Sequence, residues 1–518
     1  MISFAQNFST FFDMENLYKA YLTCRKGKRK AINTRGFEAN LFHELLCLSS
    51  ALQNETYKPS RSVCFYVKKP KLREIFASDF RDRVLHRMLV DILEPHYEKK
   101  FITDSYACRE EKGTHKAVEK LREFIRSGTK NKSSPLYYLQ LDIKGFFMQI
   151  HKPTLIDILA KNIKDEKLIS IVKAIIHHNP AKHFVFRGKI PPKGILPPHK
   201  TLFHEDTQKG IPIGNLTSQF FANVYLNELD QFIKRKLGVQ YYIRYVDDFI
   251  LMHSDRQLLL QWKNEIITYL QNHLKLVLKD EKVKPLSVYK GIDFLGYFIK
   301  PGYTLVRRRV LENYKKTLSE VLPPAAKTGK RKFIGKYYPQ SLSNIRILQA
   351  RLNSYIAHFR HANAFYILKQ LEDRLKPYAS VLFVKDNYIR IPKYLNHFYR
   401  FRHQIAYFLN KFPDKLLIFP VGRFFEIYGK EAGEIARLCG LKPYQRSSMI
   451  TFGIPRRFHR KQPDCRRITL KDVCKTAKKN HIPYVIFRQD KEETERVKTR
   501  LPLFGIHFLQ PLQLEFPF

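Results

Sequence analysis

The chain has 518 residues, of which 93 are Lys or Arg and 47 are Asp or Glu, so its formal net charge is +46. Hydrophobic residues make up 44% and charged residues 27%. This balance excludes a disordered chain, and the length predicts about two to four globular domains. No apolar run reaches the ~18 residues that a membrane span needs. The first residues lack the pattern of a secretory signal, so we expect a cytoplasmic protein.

The excess of positive charge is the strongest global feature of the sequence. It is far above the ~2–8 net charges typical of a small soluble domain, and 29 Tyr and 40 Phe accompany it. Positive charge with aromatic rings suits a polyanion that carries stackable bases, so we expect nucleic-acid partners. A membrane surface is the alternative, but no basic amphipathic anchor stands out and we expect no membrane partner. Seven scattered cysteines without a CxxC pair favour neither a zinc site nor a disulfide framework.

In chain order, apolar positions at helical spacing predict an N-terminal helical region. Two short strands joined by a turn follow in RSVCFYVKKPKLREIFA, then two amphipathic helices and the strand PLYYLQLDI. We expect residues 154–178 to be helical. The Pro-, Gly- and His-rich stretch 179–210 is expected to be an exposed loop or hairpin. A long helix that stops at Gly238 comes next.

The remaining sequence begins with a predicted hairpin, VQYYIRY and FILMHS around a turn at VDD, followed by a helix. Further strands are expected in LVLKDEKVKPL and YKGIDFLGYFIKPGYTLVR, and further helices near 310–322 and 342–376. The fold class is therefore α+β. The predicted regions are an N-terminal helical region (1–60), a strand-rich region with its helices (61–305), a helical region (306–378), a basic aromatic linker (379–412) and a mixed α and β unit (413–518).

Two adjacent carboxylates, Asp247 and Asp248, lie in the apolar stretch IRYVDDFILM. Burying adjacent negative charges costs several kcal/mol unless a cation meets them. A third carboxylate, Asp142, ends the apolar strand LYYLQLD, and it meets Asp247 if the two strands are neighbours. Hard oxygen ligands on strands suit Mg2+, and two such ions suit an in-line phosphoryl displacement. The alternative is a solvated Asp–Asp turn, against which the flanking apolar strands argue.

These motifs resemble those of the reverse transcriptases. YVDD resembles their palm hairpin, QLDIKGFFMQI their first palm motif, GIPIGNLTSQFFANVYLNELD the next motif, and GIDFLGY the strand element that grips the primer. The resemblance covers roughly residues 15–375. It implies a right-hand polymerase, with fingers and palm at 61–305 and a helical thumb at 306–378. Such an enzyme makes a cDNA–RNA hybrid from template RNA, a nucleic-acid primer and dNTPs, with two Mg2+ ions for which Mn2+ can substitute.

The resemblance also assigns roles position by position. Asp142, Asp247 and Asp248 would be the catalytic carboxylates, and the carbonyl of Ile143 would help them bind metal. Phe147 matches the aromatic gate that rejects a ribose 2′-hydroxyl. The positions expected at the dNTP are Arg109, Lys112, Phe147, Ile213, Gly214, Gln219 and Lys282, and those of the primer grip are Phe294, Leu295 and Gly296. A solvated basic loop is the alternative for Arg109 and Lys112, and a surface lysine for Lys282.

The motif PIGNLTSQ points to a subtype. Ile213 stands where many bacterial relatives have Gln, and Gln219 where they have Pro. The pattern resembles reverse transcriptases of diversity-generating retroelements, which copy a template RNA carelessly, chiefly at adenines. Loss of a polar contact worth about 1 kcal/mol would lower discrimination; the alternative is that Ile213 only packs. A phage-defence or otherwise domesticated reverse transcriptase is a second candidate, and a non-catalytic nucleic-acid-binding scaffold is a third.

The last region, 413–518, resembles the mismatch-recognition domain of the MutS repair protein. The resemblance rests on Gly422, Phe424 and Glu426 in VGRFFEIYG and on the later GIP at 453–455. It implies that Phe424 and Glu426 contact nucleic acid, although Arg423 stands where that family usually has an acid. We expect a fused accessory module that holds template RNA, a mismatched hybrid or target DNA. A separate accessory protein is a further candidate partner, and Phe424 as a core residue of a docking domain is the alternative.

Overall fold

The computed structural model describes residues 12–29, 31–68, 71–188, 194–203, 206–321, 342–375, 382–386, 388–391, 401–421, 424–446, 449–455, 468–489 and 500–503. The chain divides into two compact units, Met1–Leu295 with Ile299–Gly302, and Gly296–Phe298 with Tyr303–Phe518. In the described ranges, no helix has the length and apolar character needed to cross a membrane.

The first unit contains most of the helices. They are α1 (Met14–Arg25), α2 (Ile32–Ala39), α3 (Leu41–Gln53), α4 (Phe80–Glu98), α5 (Thr114–Gly128), α6 (Phe146–Gln149), α7 (Lys152–Ala160), α8 (Glu166–His177), α9 (Leu216–Gln231) and α10 (Arg256–Leu274). A π-helical turn, Phe232–Lys236, extends α9. Most side chains of α9 are buried all round its circumference, so this helix lies inside the core and not on its surface.

Seven described strands of the first unit form two sheets beside these helices. They are β1 (Ser62–Val67), β2 (Arg73–Ala77), β3 (Tyr137–Asp142), β4 (Phe184–Phe186), β5 (Tyr241–Tyr245), β6 (Asp248–His253) and β7 (Leu286–Ser287). Strand β8 (Ile292–Phe294) follows β7 in the chain and lies outside these two sheets. One sheet has the order β5-β6-β3-β7 and the other β2-β1-β4. The four middle residues of β6 are buried because this strand has neighbours on both edges and helices against its face.

Two expectations for this unit differ from the structure. Within 179–210, β4 pairs parallel with β1, so the stretch is partly built into a sheet and is not a simple exposed loop. The segment LVLKDEKVKPL contains an isolated bridge at Leu278 and the short strand β7 in place of a long strand. In both cases the partner lies far away in sequence, and local patterns do not reveal such pairing.

The second unit has two separate cores. Strands β9 (Tyr297–Lys300) and β10 (Tyr303–Val306) lie where the two units meet in sequence, and α11 (Arg308–Val321), α12 (Leu342–Phe359) and α13 (Phe365–Leu375) follow. The first core joins these helices to the hairpin of β11 (Phe383–Lys385) and β12 (Tyr388–Arg390). Gln349 and Asn353 of α12 donate to the carbonyl of Ile389 at 3.0 and 2.9 Å, which fixes the hairpin on the helix.

The other core surrounds a six-stranded sheet with the order β15-β16-β14-β13-β17-β18. Its elements are α14 (Phe401–Lys411), β13 (Leu416–Val421), β14 (Phe424–Tyr428), α15 (Ala432–Leu438), β15 (Tyr444–Arg446), β16 (Met449–Pro455), α16 (Leu470–Lys479), β17 (Tyr484–Gln489) and β18 (Arg500–Leu503). Residues of α15 and α16 pack on one face and Phe408 of α14 on the other. We call the six-stranded sheet with α14, α15 and α16 the C-terminal module. It includes α14, although the sequence predicts a linker up to residue 412.

Candidate active site

Three carboxylates meet at one end of the four-stranded sheet. Strand β6 pairs antiparallel with β3, and Asp248 lies directly opposite Asp142. Asp247 sits in the hairpin turn between β5 and β6, where Val246 has a φ of 57°. The amide of Ile143 donates to the carbonyl of Asp247 at 3.3 Å. The prediction that the two strands are neighbours and bring these carboxylates together is confirmed.

The carboxylates of the turn are hard to ionise. Burial, with a smaller contribution from the charge of Asp142, raises the pKa of Asp247 to about 6. Burial also raises the pKa of Asp248 to about 6, although a hydrogen bond from Gln140 acts in the opposite direction. The Gln140 amide donates to both carboxylate oxygens of Asp248, at 3.0 and 3.2 Å. Crowded, poorly solvated carboxylates favour a bound cation that offsets their repulsion.

The basic group at this site is Lys279. Its Nζ lies 2.7 Å from Oδ2 of Asp142, and its backbone amide donates to the Asp142 carbonyl at 2.8 Å. The hydrogen bond to Asp142 raises the pKa of Lys279. The sequence motif suggests Lys282 for the basic position, and its role at a dNTP stays a prediction: Lys282 is exposed, and its backbone amide donates to Asp280. Arg73 of β2, whose charge lowers the pKa of Asp247, is a site residue that the motifs do not reveal.

A buried ion pair holds the turn from below. Arg244 and Asp230 are both 0% exposed, and Nη2 of Arg244 lies 2.6 Å from Oδ2 of Asp230. Tyr242 donates its hydroxyl to Asp230 at 2.7 Å. Nη1 of Arg244 donates to Asn223 and, at 3.1 Å, to the carbonyl of Val246 in the turn. The position of the turn thus depends on a guanidinium that has no access to water.

No group of three or more His, Cys, Asp and Glu side chains forms a ready metal site among the described residues. The donor chemistry at the turn nevertheless fits a hard divalent ion. Asp142 is 39% exposed, so its carboxylate is accessible, and it shares its charge with one ammonium group. Asp247 and Asp248 present oxygen donors whose pKa values are raised by burial and by the neighbouring carboxylates, and a bound cation would offset both effects.

The same stretch of chain has known relatives. Residues 66–299, which include all three carboxylates, match the family described as reverse transcriptase (RNA-dependent DNA polymerase). The chain contains a reverse transcriptase domain. This match confirms the prediction of an RNA-directed DNA polymerase domain.

Two curated relatives of the reverse transcriptase domain are bacterial. Protein YkfC of Escherichia coli strain K12 is 23% identical over 312 residues, which are 54% of this chain and 75% of that protein. The group II intron-encoded protein LtrA of Lactococcus lactis subsp. cremoris is 24% identical over 335 residues, and the chain spans about half of its length, 52%. Among solved structures, apo telomerase from Candida tropicalis aligns with a TM-score of 0.37 and 13% identity, over 62% of this chain and 57% of that one.

Two basic residues expected at the dNTP of the reverse transcriptase domain are engaged elsewhere. The Arg109 side chain is 5% exposed and forms an ion pair with Glu98 at 2.7 Å. Its Nη1 donates to the carbonyls of Ile102 and Ser105. Lys112 donates to the carbonyl of Thr103 at 2.9 Å. These contacts favour a structural role for Arg109, because its donors are already used and buried, and its placement at a triphosphate stays a prediction.

Of the remaining predicted dNTP positions, Phe147 lies on α6, Ile213 and Gly214 lie against β2, and Gln219 lies on α9. Phe147 of α6 is partly exposed and packs edge-on against Phe146, with centroids 5.4 Å apart. Ile213 packs against the buried cluster that contains Phe76, and its carbonyl accepts from the Phe76 amide at 3.0 Å. The structure thus favours the packing alternative for Ile213. Gly214 has a φ of 124°, and a Cβ there would lie 2.9 Å from Ile75. Gln219 is exposed on the first turn of α9.

The predicted primer grip lies at the end of β8. Phe294 is 0% exposed, so its ring belongs to the core and is not available to a primer. Leu295 and Gly296 both have positive φ values, 49° and 91°, and they form the bend after β8. Any contact with a primer in this stretch would therefore come from the bend at Leu295 and Gly296 and not from the ring of Phe294.

In the C-terminal module, the two residues for which the MutS resemblance implies contacts with nucleic acid differ in their exposure to solvent. Phe424 is 49% exposed at the start of β14, so it is not a core residue. Glu426 is 6% exposed, and the Tyr428 hydroxyl donates to it at 2.5 Å. Because this carboxylate is buried and engaged, the structure gives no support for a direct contact between Glu426 and a base, and that contact stays a prediction. Gly422 and Arg423 lie outside the described residues.

Proposed function

We propose that this protein is an RNA-directed DNA polymerase that copies a template RNA into cDNA, and that it is the error-prone enzyme of a diversity-generating retroelement. One observation carries the polymerase part of the proposal. Asp142 lies opposite Asp248 and beside the turn that holds Asp247, on paired strands within a matched reverse transcriptase domain. Paired strands hold the oxygen ligands in fixed positions, and two-metal nucleotidyl transfer depends on such fixed ligands.

In the proposed reaction the primer 3′-hydroxyl attacks the α-phosphate of a dNTP and pyrophosphate leaves. Asp142 and Asp247, with the Ile143 carbonyl and Asp248, would hold two divalent ions, for which Mg2+ is the natural choice. When bound, these ions supply charge stabilisation for the attacking and leaving oxygens. Asp248 is held by Gln140 and shapes the field at the site. Exposed basic side chains next to these carboxylates are suited to bind the triphosphate of the dNTP.

Two of these basic side chains have defined positions. Lys279 is hydrogen-bonded to Asp142, and its side chain is 61% exposed, so it can exchange a carboxylate oxygen for a phosphate oxygen. Arg73 is exposed at the start of β2, close enough to Asp247 to lower the pKa of that carboxyl. We propose these two residues for the triphosphate in place of Arg109. Phe147 is partly exposed on α6, where a bulky ring excludes a ribose 2′-hydroxyl and so selects dNTPs.

The retroelement subtype is supported by the motif that contains Ile213 and Gln219. Ile213 lies in an apolar cluster, so its effect on fidelity would work through the position of the loop and not through a contact with the sugar. The loop is tied to β2 by the bond from the Phe76 amide and by the Ser78 amide, which donates to Asn215 at 3.1 Å. A change in the position of this loop would alter how tightly the incoming nucleotide is held, and with it the discrimination between right and wrong pairs.

The C-terminal module is proposed to be a nucleic-acid-binding accessory unit. Phe424 exposes half of its surface at a strand end, as a stacking residue requires. The sequence around it is basic, with Arg423 before it and RRFHRK directly after Pro455, the residue that pairs with Phe424. Template RNA, a mismatched cDNA–RNA hybrid and target DNA are the candidate ligands.

The test is to give the purified protein a primed RNA template with dNTPs and Mg2+, and to sequence the cDNA deeply. Errors concentrated opposite template adenines support the retroelement assignment. Accurate cDNA refutes it and leaves a phage-defence or otherwise domesticated reverse transcriptase. An Ile213→Gln variant is the matched comparison, and we expect it to lower the error rate if the loop controls discrimination.

A further inference from the structure

A segment that the proposed function does not use crosses the helix that carries Phe147. We call residues 194–203 the strap. Gly145, which precedes α6, has a φ of 58°, and a Cβ there would collide with the carbonyl oxygen of His199 in the strap. Leu202 of the strap lies in the same buried apolar cluster as Met148 of α6. The strap therefore covers α6 without space between them.

The chain beyond the strap continues to hold the same helix. The amide of Gly210 donates to the carbonyl of Ile150 at 2.9 Å, and the amide of Ile211 donates to the carbonyl of Phe147 at 2.9 Å. The amide of Lys152 donates to the carbonyl of Gln208 at 2.8 Å. Both sides of α6 are thus in contact with residues from one continuous part of the chain.

One buried carboxylate fastens the strap to β2. Glu74 is 1% exposed, and its carboxylate accepts three hydrogen bonds. The Thr201 hydroxyl donates at 2.7 Å, the Leu202 amide at 2.8 Å and the Tyr66 hydroxyl at 3.0 Å. None of these three partners is charged. Burying a carboxylate among neutral partners is costly, so packing alone does not account for an acid at this position.

Glu74 also connects the strap to the carboxylate site. It directly follows Arg73, whose charge acts on Asp247. The next two residues of β2, Ile75 and Phe76, contact the loop at Gly214. A shift of the strap is therefore transmitted to α6 on one side and resisted by β2 on the other. Closely packed elements of this kind occupy defined positions and do not deform gradually.

We propose that Glu74 is a positioning residue for nucleotide selection: by fastening the strap it keeps α6, and with it Phe147, from moving away from the incoming sugar. This inference rests on the proposed function. An aromatic gate excludes a 2′-hydroxyl only while its backbone is held, because a displacement of about 1 Å makes room for one oxygen atom. A competing role for the strap is a template contact through exposed residues such as Lys200.

The experiment measures single-nucleotide insertion of a dNTP and of the matching rNTP by the full-length protein on a primed RNA template. Glu74→Met keeps the volume of the side chain and removes the acceptors. Glu74→Gln keeps an acceptor for the Leu202 amide, and its own amide can donate to the two hydroxyls. We expect the ratio of kcat/KM for dNTP over rNTP to fall roughly tenfold in Glu74→Met and to stay near wild type in Glu74→Gln. Lys200→Ala is the control that leaves the ratio unchanged.

Hydrogen exchange supplies a readout that needs no catalysis. We expect the Leu202 amide and the amides of α6 to exchange faster in Glu74→Met than in wild type. Faster exchange with an unchanged dNTP/rNTP ratio overturns the inference, as does an equal loss for both nucleotides. Weaker template binding in Lys200→Ala, with the ratio unchanged in Glu74→Met, shows a template contact instead. A wild type that inserts neither nucleotide sinks the proposed function, whereas an active wild type with an unaffected ratio sinks only the role of Glu74.

Discussion

The buried pair of Arg244 and Asp230 should be the most sensitive point beneath the catalytic turn. Both side chains are fully buried, with the closest nitrogen and oxygen 2.6 Å apart. Two unit charges about 4 Å apart attract by about 4 kcal/mol at an effective dielectric constant of ~20, and breaking a buried pair costs about 3–5 kcal/mol. We therefore expect Asp230→Asn to lower the free energy of unfolding of the first unit by about 3–5 kcal/mol.

The single tryptophan makes this measurement specific. Trp262 lies in α10 of the first unit, is 7% exposed and packs edge-on against His253 of β6. Its fluorescence during urea unfolding reports the first unit without contribution from the rest of the chain. Asp91→Asn is the control, because Asp91 pairs with Arg87 at the surface and should lose at most about 1 kcal/mol.

A loss below about 1 kcal/mol in Asp230→Asn would refute the reasoning, since it would mean that water or a rearranged side chain compensates Arg244. The double variant Asp230→Leu with Arg244→Met removes both charges. It should recover most of the stability, because a well-packed apolar pair replaces an ion pair at little cost. It should not recover cDNA synthesis, because the bond from Arg244 to the Val246 carbonyl is gone.

Three further predictions concern the site and its surroundings. The pKa of Asp247 in the folded protein, about 6, is above its ordinary value of 3.8, so the free energy of unfolding should fall as the pH rises between about 4 and 6. In the absence of divalent ions, Asp247→Asn should flatten this pH dependence and raise the urea midpoint at about pH 7.5. An unchanged pH dependence in this variant would contradict the pKa shift. Lys279→Ala should lower kcat/KM for dNTP by roughly 10- to 100-fold, which corresponds to the loss of a charge-assisted hydrogen bond worth about 1.5–3 kcal/mol. The control Lys282→Ala should stay within about twofold of wild type. A larger loss in Lys282→Ala than in Lys279→Ala would support the sequence-based assignment of Lys282. Gly214→Ala should destabilise the first unit by about 1 kcal/mol or more beyond the loss in Gly238→Ala. Both glycines have positive φ values, but of the two only Gly214 has neighbours within 4 Å of an added Cβ. Equal losses in thermal unfolding would show that these neighbours move aside.

Local patterns predict the elements that carry the site. Strands β3, β5 and β6 are short, largely apolar runs, and the hairpin turn between β5 and β6 is recognisable from the local sequence. Antiparallel pairing of β3 with β6 then brings Asp142, at the end of β3, opposite Asp248, at the start of β6. The mixed α and β character of the chain is confirmed for the same reason.

Contacts between distant segments are not accessible in this way. Lys279 and Lys282 lie in one basic run, and only the bridge between Ile143 and Leu278 decides which lysine reaches Asp142. Glu74 lies on the same buried face of β2 as Phe76, and the strap supplies two of its hydrogen-bond partners there. The signal available in the sequence is indirect: an acid next to Arg73 in a strand between apolar residues needs a partner from elsewhere.

The assignment of Arg109 shows the opposite limit. Its position in a basic stretch predicts a contact with an anionic ligand. In the fold, however, the Arg109 guanidinium forms an ion pair with Glu98, the last residue of α4. A basic residue that forms a buried ion pair within the fold is less accessible to a ligand. Sequence order alone does not distinguish these two uses.

The most direct test of the central claim is extension of a primer on an RNA template with dNTPs and Mg2+, comparing wild type with Asp247→Ala at matched nucleic-acid binding. We predict full-length cDNA from wild type and none from Asp247→Ala, with template binding retained. Undiminished synthesis by Asp247→Ala would contradict the assignment of the site. Binding without synthesis by the wild type, on RNA and DNA primers alike, would contradict the proposal of a polymerase and leave a nucleic-acid-binding scaffold.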